Sequence, residues 1–388
     1  MGRELVGKTI TAFFFIAIIV SAGFILAVIT AFAGGEKFYT PLVGITAVAL
    51  IVFVILFTYE LVQRRLLYKI SLSCLGLLLV VVAAYEINRS YHDSFATVSE
   101  QEVNIYEYMP FYNNDKLVSL DEPAAIRIDS NLPRLDGATA LYPVYAAFVQ
   151  ATYPEAEYDP YRSEVMCTKT GEAYKRLLNG EADIIFAAQP SRTHLEQAKQ
   201  QGIELKLTPI GREAFVFFVN SQNEVRGLTV EQIQAIYAGE ITSWQEVGGT
   251  NQGIRAFQRP ENSGSQTMLQ SLMEGKSLMM PPTEDVVAGM GGIIEQTANY
   301  RNYRNAIGYS FLYFATEMVQ NGDIQLLEIN GVYPDRNTIA SGQYPLAAEF
   351  YAITAGSDNP NIEPFLEWIL SPQGQTIIEK TGYTPLSK

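Results

Sequence analysis

Arg259, Ser263, Gly264 and Ser265 stand within seven residues of one another, immediately ahead of a stretch in which Met268, Leu269 and Leu272 recur at helical spacing. That grouping suits anion binding. A helix start exposes N–H groups with no partner inside the helix and carries the positive end of the macrodipole. A guanidinium beside it adds a forked donor that can bind two oxygens at once. Serine at this position is also an ordinary helix cap, and the residues alone leave both readings open.

Two further segments have the same form. In "RLDGATALYPVY", Gly137, Ala138, Thr139 and Ala140 open a helical pattern that continues through Tyr145 and Phe148, with Pro143 in the first turn, where its missing N–H costs nothing. In "CTKTGEAYKRLL", Thr168, Thr170 and Gly171 open another. Covalent or metal chemistry has no such support. The two histidines, His92 and His194, are far apart, and Cys74 and Cys167 form no ligand cluster and cannot pair with each other. Without a nucleophile beside a base, the chain reads as a non-enzyme with no cofactor. "GMGG" at 289–292 is too short for a nucleotide loop and reads as a turn.

These helix starts need a framework to hold them. From Ala124 the chain alternates: strand-like "AAIRI", "ADIIFAA" and "AFVFFVN" are interleaved with helix-like "ALYPVYAAFVQATY", "GEAYKRLLNGE" and "HLEQAKQQG". After Asn220 come helices in "TVEQIQAIYAGE" and "SQTMLQSLMEG", strands in "GIRAFQR" and "AIGYSF", and one final helix in "IEPFLEWILSPQGQTIIEKTG". The pattern predicts an α/β domain over 124–388 with a mostly parallel sheet. The extended runs Glu213–Asn220 and Tyr344–Thr354 divide it into two lobes, one from 124–213 with 350–388 and the other from 220–343. A cleft between lobes is where a small ligand binds.

Ahead of this domain lies a membrane region. Thr9–Gly35 and Phe38–Tyr59 are uncharged, and Leu66–Tyr85 contains only Lys69. Each is close to the ~20 residues a bilayer-spanning helix needs. Spans are expected at about 9–33, 39–61 and 66–87 within a membrane region of residues 1–88, followed by a polar tether over 89–123. Arg3 and Lys8 precede the first span, and Arg64, Arg65 and Lys69 lie at the second-to-third turn, whereas the opposite side has Lys37 and Arg89. The positive-inside rule then gives a multi-pass protein of the cytoplasmic membrane with a cytoplasmic N-terminus and an extracytoplasmic domain. Beyond residue 89 the chain has 20 basic and 37 acidic residues, a surface unsuited to nucleic acid.

The motifs carry a family resemblance. "DGATALYPVYAAF" is similar to the opening motif of the extracytoplasmic phosphate-binding proteins of ABC transporters, whose domain is of the two-lobed periplasmic-binding-protein type. "GLTVEQIQAIYAGEITSWQEVGG" resembles the first part of the family's second lobe, "RPENSGSQT" its Arg-x-Asp-x-Ser-Gly-Thr anion loop, and "TGYTPL" its C-terminal end. The match runs in order from about Ala125 to Leu386 and does not cover the membrane spans. It implies that Thr139 and Ala140 donate from one lobe together with Thr170 or Thr168. Arg259, Ser263, Gly264 and Ser265 would grip the anion from the other, with Glu261 orienting the arginine. One position departs from the family. Ala188 stands where well-known members have an aspartate that accepts the proton of hydrogen phosphate, so an oxyanion site is implied more firmly than phosphate itself. Asp136 or Glu261 would be the acidic residue to replace it.

The resemblance implies a membrane-anchored binder of phosphate or a related oxyanion that serves ABC-type uptake and partners a transporter permease or another membrane protein. The alternative is a membrane-tethered sensor or interaction domain with weakened or lost ligand binding, which the three spans and Ala188 both favour.

Overall fold

The computed structural model describes residues 2–32, 38–94, 97–98, 103–112, 116–259, 261–281, 286–288, 294–298, 300–318 and 323–386. The chain separates into two units, residues 1–94 and 95–388. The turn expected at 289–292, and Pro260 within the anion loop, lie outside the described residues.

The first unit is three helices: α1 (Gly2–Phe32), α2 (Tyr39–Thr58) and α3 (Arg64–Asp93). Segments Leu5–Phe32, Tyr39–Thr58 and Arg64–Tyr91 are long and apolar enough to cross a membrane, and their side chains are almost entirely uncovered. Bare apolar faces of that length suit a lipid solvent, because a helix satisfies its own backbone there. The third helix runs past the limit expected near residue 87, so residues 89–93 of the expected tether are helical. Glu60 draws Lys8 (3.9 Å) and Arg64 (3.4 Å) together, placing the basic start of α1 and the turn between α2 and α3 at one end of the bundle.

The second unit is built on a mixed sheet, not the mostly parallel one that alternation suggested. Its spine is the fifteen-residue strand Lys206–Asn220. The first half of this strand pairs antiparallel with Ala347–Thr354, from Lys206 opposite Thr354 to Ala214 opposite Ala347. Its second half pairs antiparallel with Ala306–Phe311, starting with Phe215 opposite Phe311, and with Ile324–Leu326 on the other side. Among the described strands of this sheet the parallel pairs are Leu135–Gly137 with Ile184–Ala187 and Arg255–Ala256 with Ala306–Phe311, and a separate parallel pair joins Gly227–Leu228 to Glu328–Ile329. One strand thus serves two cores. The first gathers Leu135, Tyr145, Phe148, Phe186, Phe365 and Trp368. The second gathers Phe217, Tyr237, Trp244, Ile307 and Tyr309.

The helices fall where the apolar periodicity put them: α4 (Tyr142–Thr152), α5 (Thr170–Leu178), α6 (Arg192–Gln200), α7 (Val230–Ala238) and α8 (Gly264–Leu272). Two expectations fail. Ala124–Ile128 forms no strand; Ile128 instead donates its N–H to the carbonyl of Thr152, the last residue of α4 (2.8 Å). The final helix is two, Ile362–Leu370 and Pro372–Thr381, because Pro372 has no N–H to continue the ladder and restarts it at a first-turn position.

Candidate functional site

Asp136, the middle residue of the strand Leu135–Gly137, is fully buried and organises the start of α5. Its carboxylate accepts from the Gly137 N–H, the Thr168 N–H and the Thr168 hydroxyl, each at 2.8 Å. Arg176, from the second turn of α5, sets its Nε 2.9 Å from the same carboxylate. Burial pushes the Asp136 carboxyl up in pKa, against the pull of these donors. The group is therefore a structural anchor, and it does not replace the acceptor missing at Ala188. Thr168 is committed with it. Lys169 follows with φ 72° and ψ 160°, a sparsely populated conformation for a residue with a side chain, and Thr170 then opens the helix.

Across the first strand, Gly137 meets Phe186 so closely that a Cβ would lie 2.4 Å from the Phe186 carbonyl oxygen. This contact admits only glycine. The chain then makes a short 3-10 turn, Thr139–Leu141, and enters α4 with Pro143 in its first turn. The Tyr383 hydroxyl, from the "TGYTPL" end, donates to the Ala140 carbonyl and ties this turn to the C-terminus.

At α8, Ser263 is the N-cap, accepting from the Gln266 N–H at 3.3 Å. The Arg259 N–H donates to Gln266 Oε1 (3.0 Å) and the Tyr309 hydroxyl oxygen (2.8 Å), while that hydroxyl donates to Gln266. Arg259 is thereby held by its backbone, and its Nε is buried. Glu261 is exposed and accepts from Gln270 (2.9 Å).

These segments converge on one cavity of about 40 Å³, walled by Thr139, Ala140, Thr170, Ala188, Gly264 and Ser265 together with Ser310, Glu213, Glu349, Phe311 and Tyr383. By the same measure a single water needs roughly 10–15 Å³, so the space suits a small ion. Five of the expected ligand residues meet here from both sides. A Cβ on Gly264 would lie 3.5 Å from Thr170 Oγ1 and 3.7 Å from Ala188 Cβ. Thr168, Arg259, Glu261 and Ser263 lie outside this wall.

Glu213, Glu349, Ser310 and Tyr383 are the wall residues that motif reasoning missed. Glu213 left a trace in the sequence, an acidic residue opening the otherwise apolar run "EAFVFFVN". Burial pushes its carboxyl up to about 8, against hydrogen bonds from the Ala214 and Tyr313 backbones. At neutral pH it is mostly uncharged, which lowers the repulsion an anion would meet. Among the described residues no group of three or more His, Cys, Asp or Glu is placed to hold a metal.

A family model described as a PBP superfamily domain matches residues 130–373. The phosphate-binding protein PstS of Borreliella burgdorferi is 24% identical over 257 residues, covering 64% of this chain and 88% of that protein. The phosphate-binding protein PstS of Bacillus subtilis is 28% identical over 229 residues, covering 54% of this chain and 73% of that protein. Among solved structures, an ABC-type phosphate transport receptor from Vibrio cholerae overlays with a TM-score of 0.46 at 17% identity, over 65% of this chain and 99% of that one.

Proposed function

The chain belongs to the PBP superfamily, and we propose that it is a membrane-anchored extracytoplasmic solute-binding protein that holds phosphate or a similar oxyanion between its two lobes without turning it over. The observation that carries this reading is the convergence of Thr139, Ala140 and Thr170 with Gly264 and Ser265 around an ion-sized cavity. Hydroxyls and first-turn N–H groups arriving from two cores are donors for an oxyanion, and the space is of small-ion size. The relatives named phosphate-binding protein support phosphate as the ligand; service to ABC-type uptake, with a transporter permease as partner, is part of the same proposal.

Arg259, which lies outside the cavity wall and ahead of α8, is the residue to which this reading assigns the charged contact with a bound anion. Ser263 and Glu261 flank it. The lobe limits, 124–213 with 350–388 and 220–343, are supported by the change of partner along the strand Lys206–Asn220. The multi-pass topology, with the N-terminus cytoplasmic, rests on the basic residues of α1 and of the turn between α2 and α3.

A second reading, a tethered sensor or interaction domain with weakened binding, is favoured by two carboxyl residues, Glu213 and Glu349, on the cavity wall. Thermal denaturation of the full chain in detergent separates the two. A ligand that binds only the folded state raises Tm, by the equivalent of about 2.7 kcal/mol at a hundred times Kd. Millimolar phosphate is expected to raise it, with sulfate, arsenate and molybdate as comparisons. No shift with any of them would favour the sensor. Release of phosphate from phosphomonoesters that vanishes in Arg259→Ala would mean an enzyme instead.

A further inference from the structure

Glu213 stands at the point where the long strand changes partners. It lies opposite Ala348, and two residues later Phe215 already pairs with Phe311 of the other core. It is buried, with 6% of its surface exposed, and it lines the cavity. Oε1 accepts from the Ala214 N–H at 3.0 Å. Oε2 is buried and meets no donor in good hydrogen-bond geometry among the described residues, although the Tyr313 N–H lies near enough to the carboxyl to pull its pKa down against burial. An unpaired buried carboxyl oxygen costs stability unless something meets it. The cavity is where that partner would sit.

Resting on the oxyanion reading above, we infer that Glu213 is a specificity-determining ligand: its free oxygen meets the bound anion directly and takes over the position left vacant by Ala188. The carboxylic acid donates its O–H to an oxygen of a fully ionised anion. The carboxylate accepts from the P–OH of hydrogen phosphate and repels an anion that has no proton. One residue can therefore serve both kinds of ligand, and pH decides which it favours.

The groups that face Glu213 fit this role. Glu349 shares the wall from the neighbouring strand, and the rings of Tyr313 and Tyr383 approach from the two adjoining segments. Both phenols are held well above their ordinary pKa by burial, so they stay neutral while Glu213 titrates. Arg212, next along the strand, alternates to the opposite face, where it pairs across the strands with Glu349. Burial holds Glu213 near 8, so the change between its two modes falls in an accessible range.

The test is isothermal titration of the full chain in detergent with inorganic phosphate and with sulfate, from pH 6 to pH 9.5. Sulfate needs Glu213 protonated, so above pH 8 its association constant should fall about tenfold per pH unit. Hydrogen phosphate keeps a proton to donate, so the phosphate-to-sulfate ratio should rise by a similar factor. Glu213→Gln keeps the backbone acceptor and a donor but cannot ionise, and its ratio should be flat across the range. A flat ratio in the unmodified chain, or the same rise in Glu213→Gln, overturns the role of Glu213 and leaves oxyanion binding standing. Absence of binding to either anion at every pH overturns both. The series on the unmodified chain decides the matter even if the variant does not fold.

Discussion

Gly264 and Thr170 come from opposite sides of the cavity and approach so closely that a Cβ on Gly264 would stand 3.5 Å from the Thr170 hydroxyl oxygen. That is ordinary van der Waals distance, and Gly264 is the first residue of α8, so alanine fits the backbone there. Its methyl group would nonetheless occupy part of a cavity of about 40 Å³. Gly264→Ala should leave Tm within about 2 °C and lower oxyanion affinity about tenfold, as read by thermal denaturation and calorimetry. Gly137→Ala should behave in the opposite way. Its Cβ would collide with the Phe186 backbone at 2.4 Å, so stability should fall by about 2 kcal/mol or more.

His194 makes stability depend on pH at the acid end. Its ring stacks on Tyr174 with centroids 4.1 Å apart, and its Nδ1 accepts from the Ser191 N–H, completing the cap of α6. Burial lowers its pKa from 6.5 to about 4. The unfolded chain therefore binds this proton first. The contribution is fully present above pH 6.5 and is lost as pH falls toward 4, by up to roughly 3 kcal/mol. Tm measured across that window should fall less steeply in His194→Gln than in the unmodified chain.

Much of this site was legible before the fold was known. The starts of α5 and α8 fall at Thr170 and Gly264, because a hydroxyl or glycine ahead of an apolar repeat is a local signal. What the sequence could not show is long-range. Thr168 and Thr170 are equivalent as letters; only the buried Asp136, 32 residues away, takes the first hydroxyl and leaves the second to the cavity. Tyr383 reaches Ala140 across 243 residues. Glu213 looked like the edge of a strand because the strand continues seven residues further back, to Lys206, through the less regular "KLTPIGR".

Ala188 walls the cavity beside Gly264, and an aspartate there would add an acceptor that Glu213, protonated at neutral pH, does not provide. Ala188→Asp should raise the phosphate-to-sulfate affinity ratio at pH 7 at least fivefold in competition titrations, mainly by repelling sulfate. An unchanged ratio would place the bound anion away from residue 188.

Topology has its own test. If the N-terminus is cytoplasmic, a protease added outside intact cells or spheroplasts should cut between Tyr91 and Lys116 and release the domain that follows. Complete protection would reverse the orientation.

The most direct measurement is calorimetric titration of the full chain with inorganic phosphate, run beside Arg259→Ala. A charge-assisted hydrogen bond is worth about 1.5–3 kcal/mol, so the variant should bind roughly ten- to more than a hundredfold more weakly while its Tm without ligand stays close to that of the unmodified chain. Saturable binding in the unmodified chain with that loss in the variant is the expected result. Equal affinity in the two chains, or no heat of binding in either, would contradict an oxyanion gripped at the start of α8.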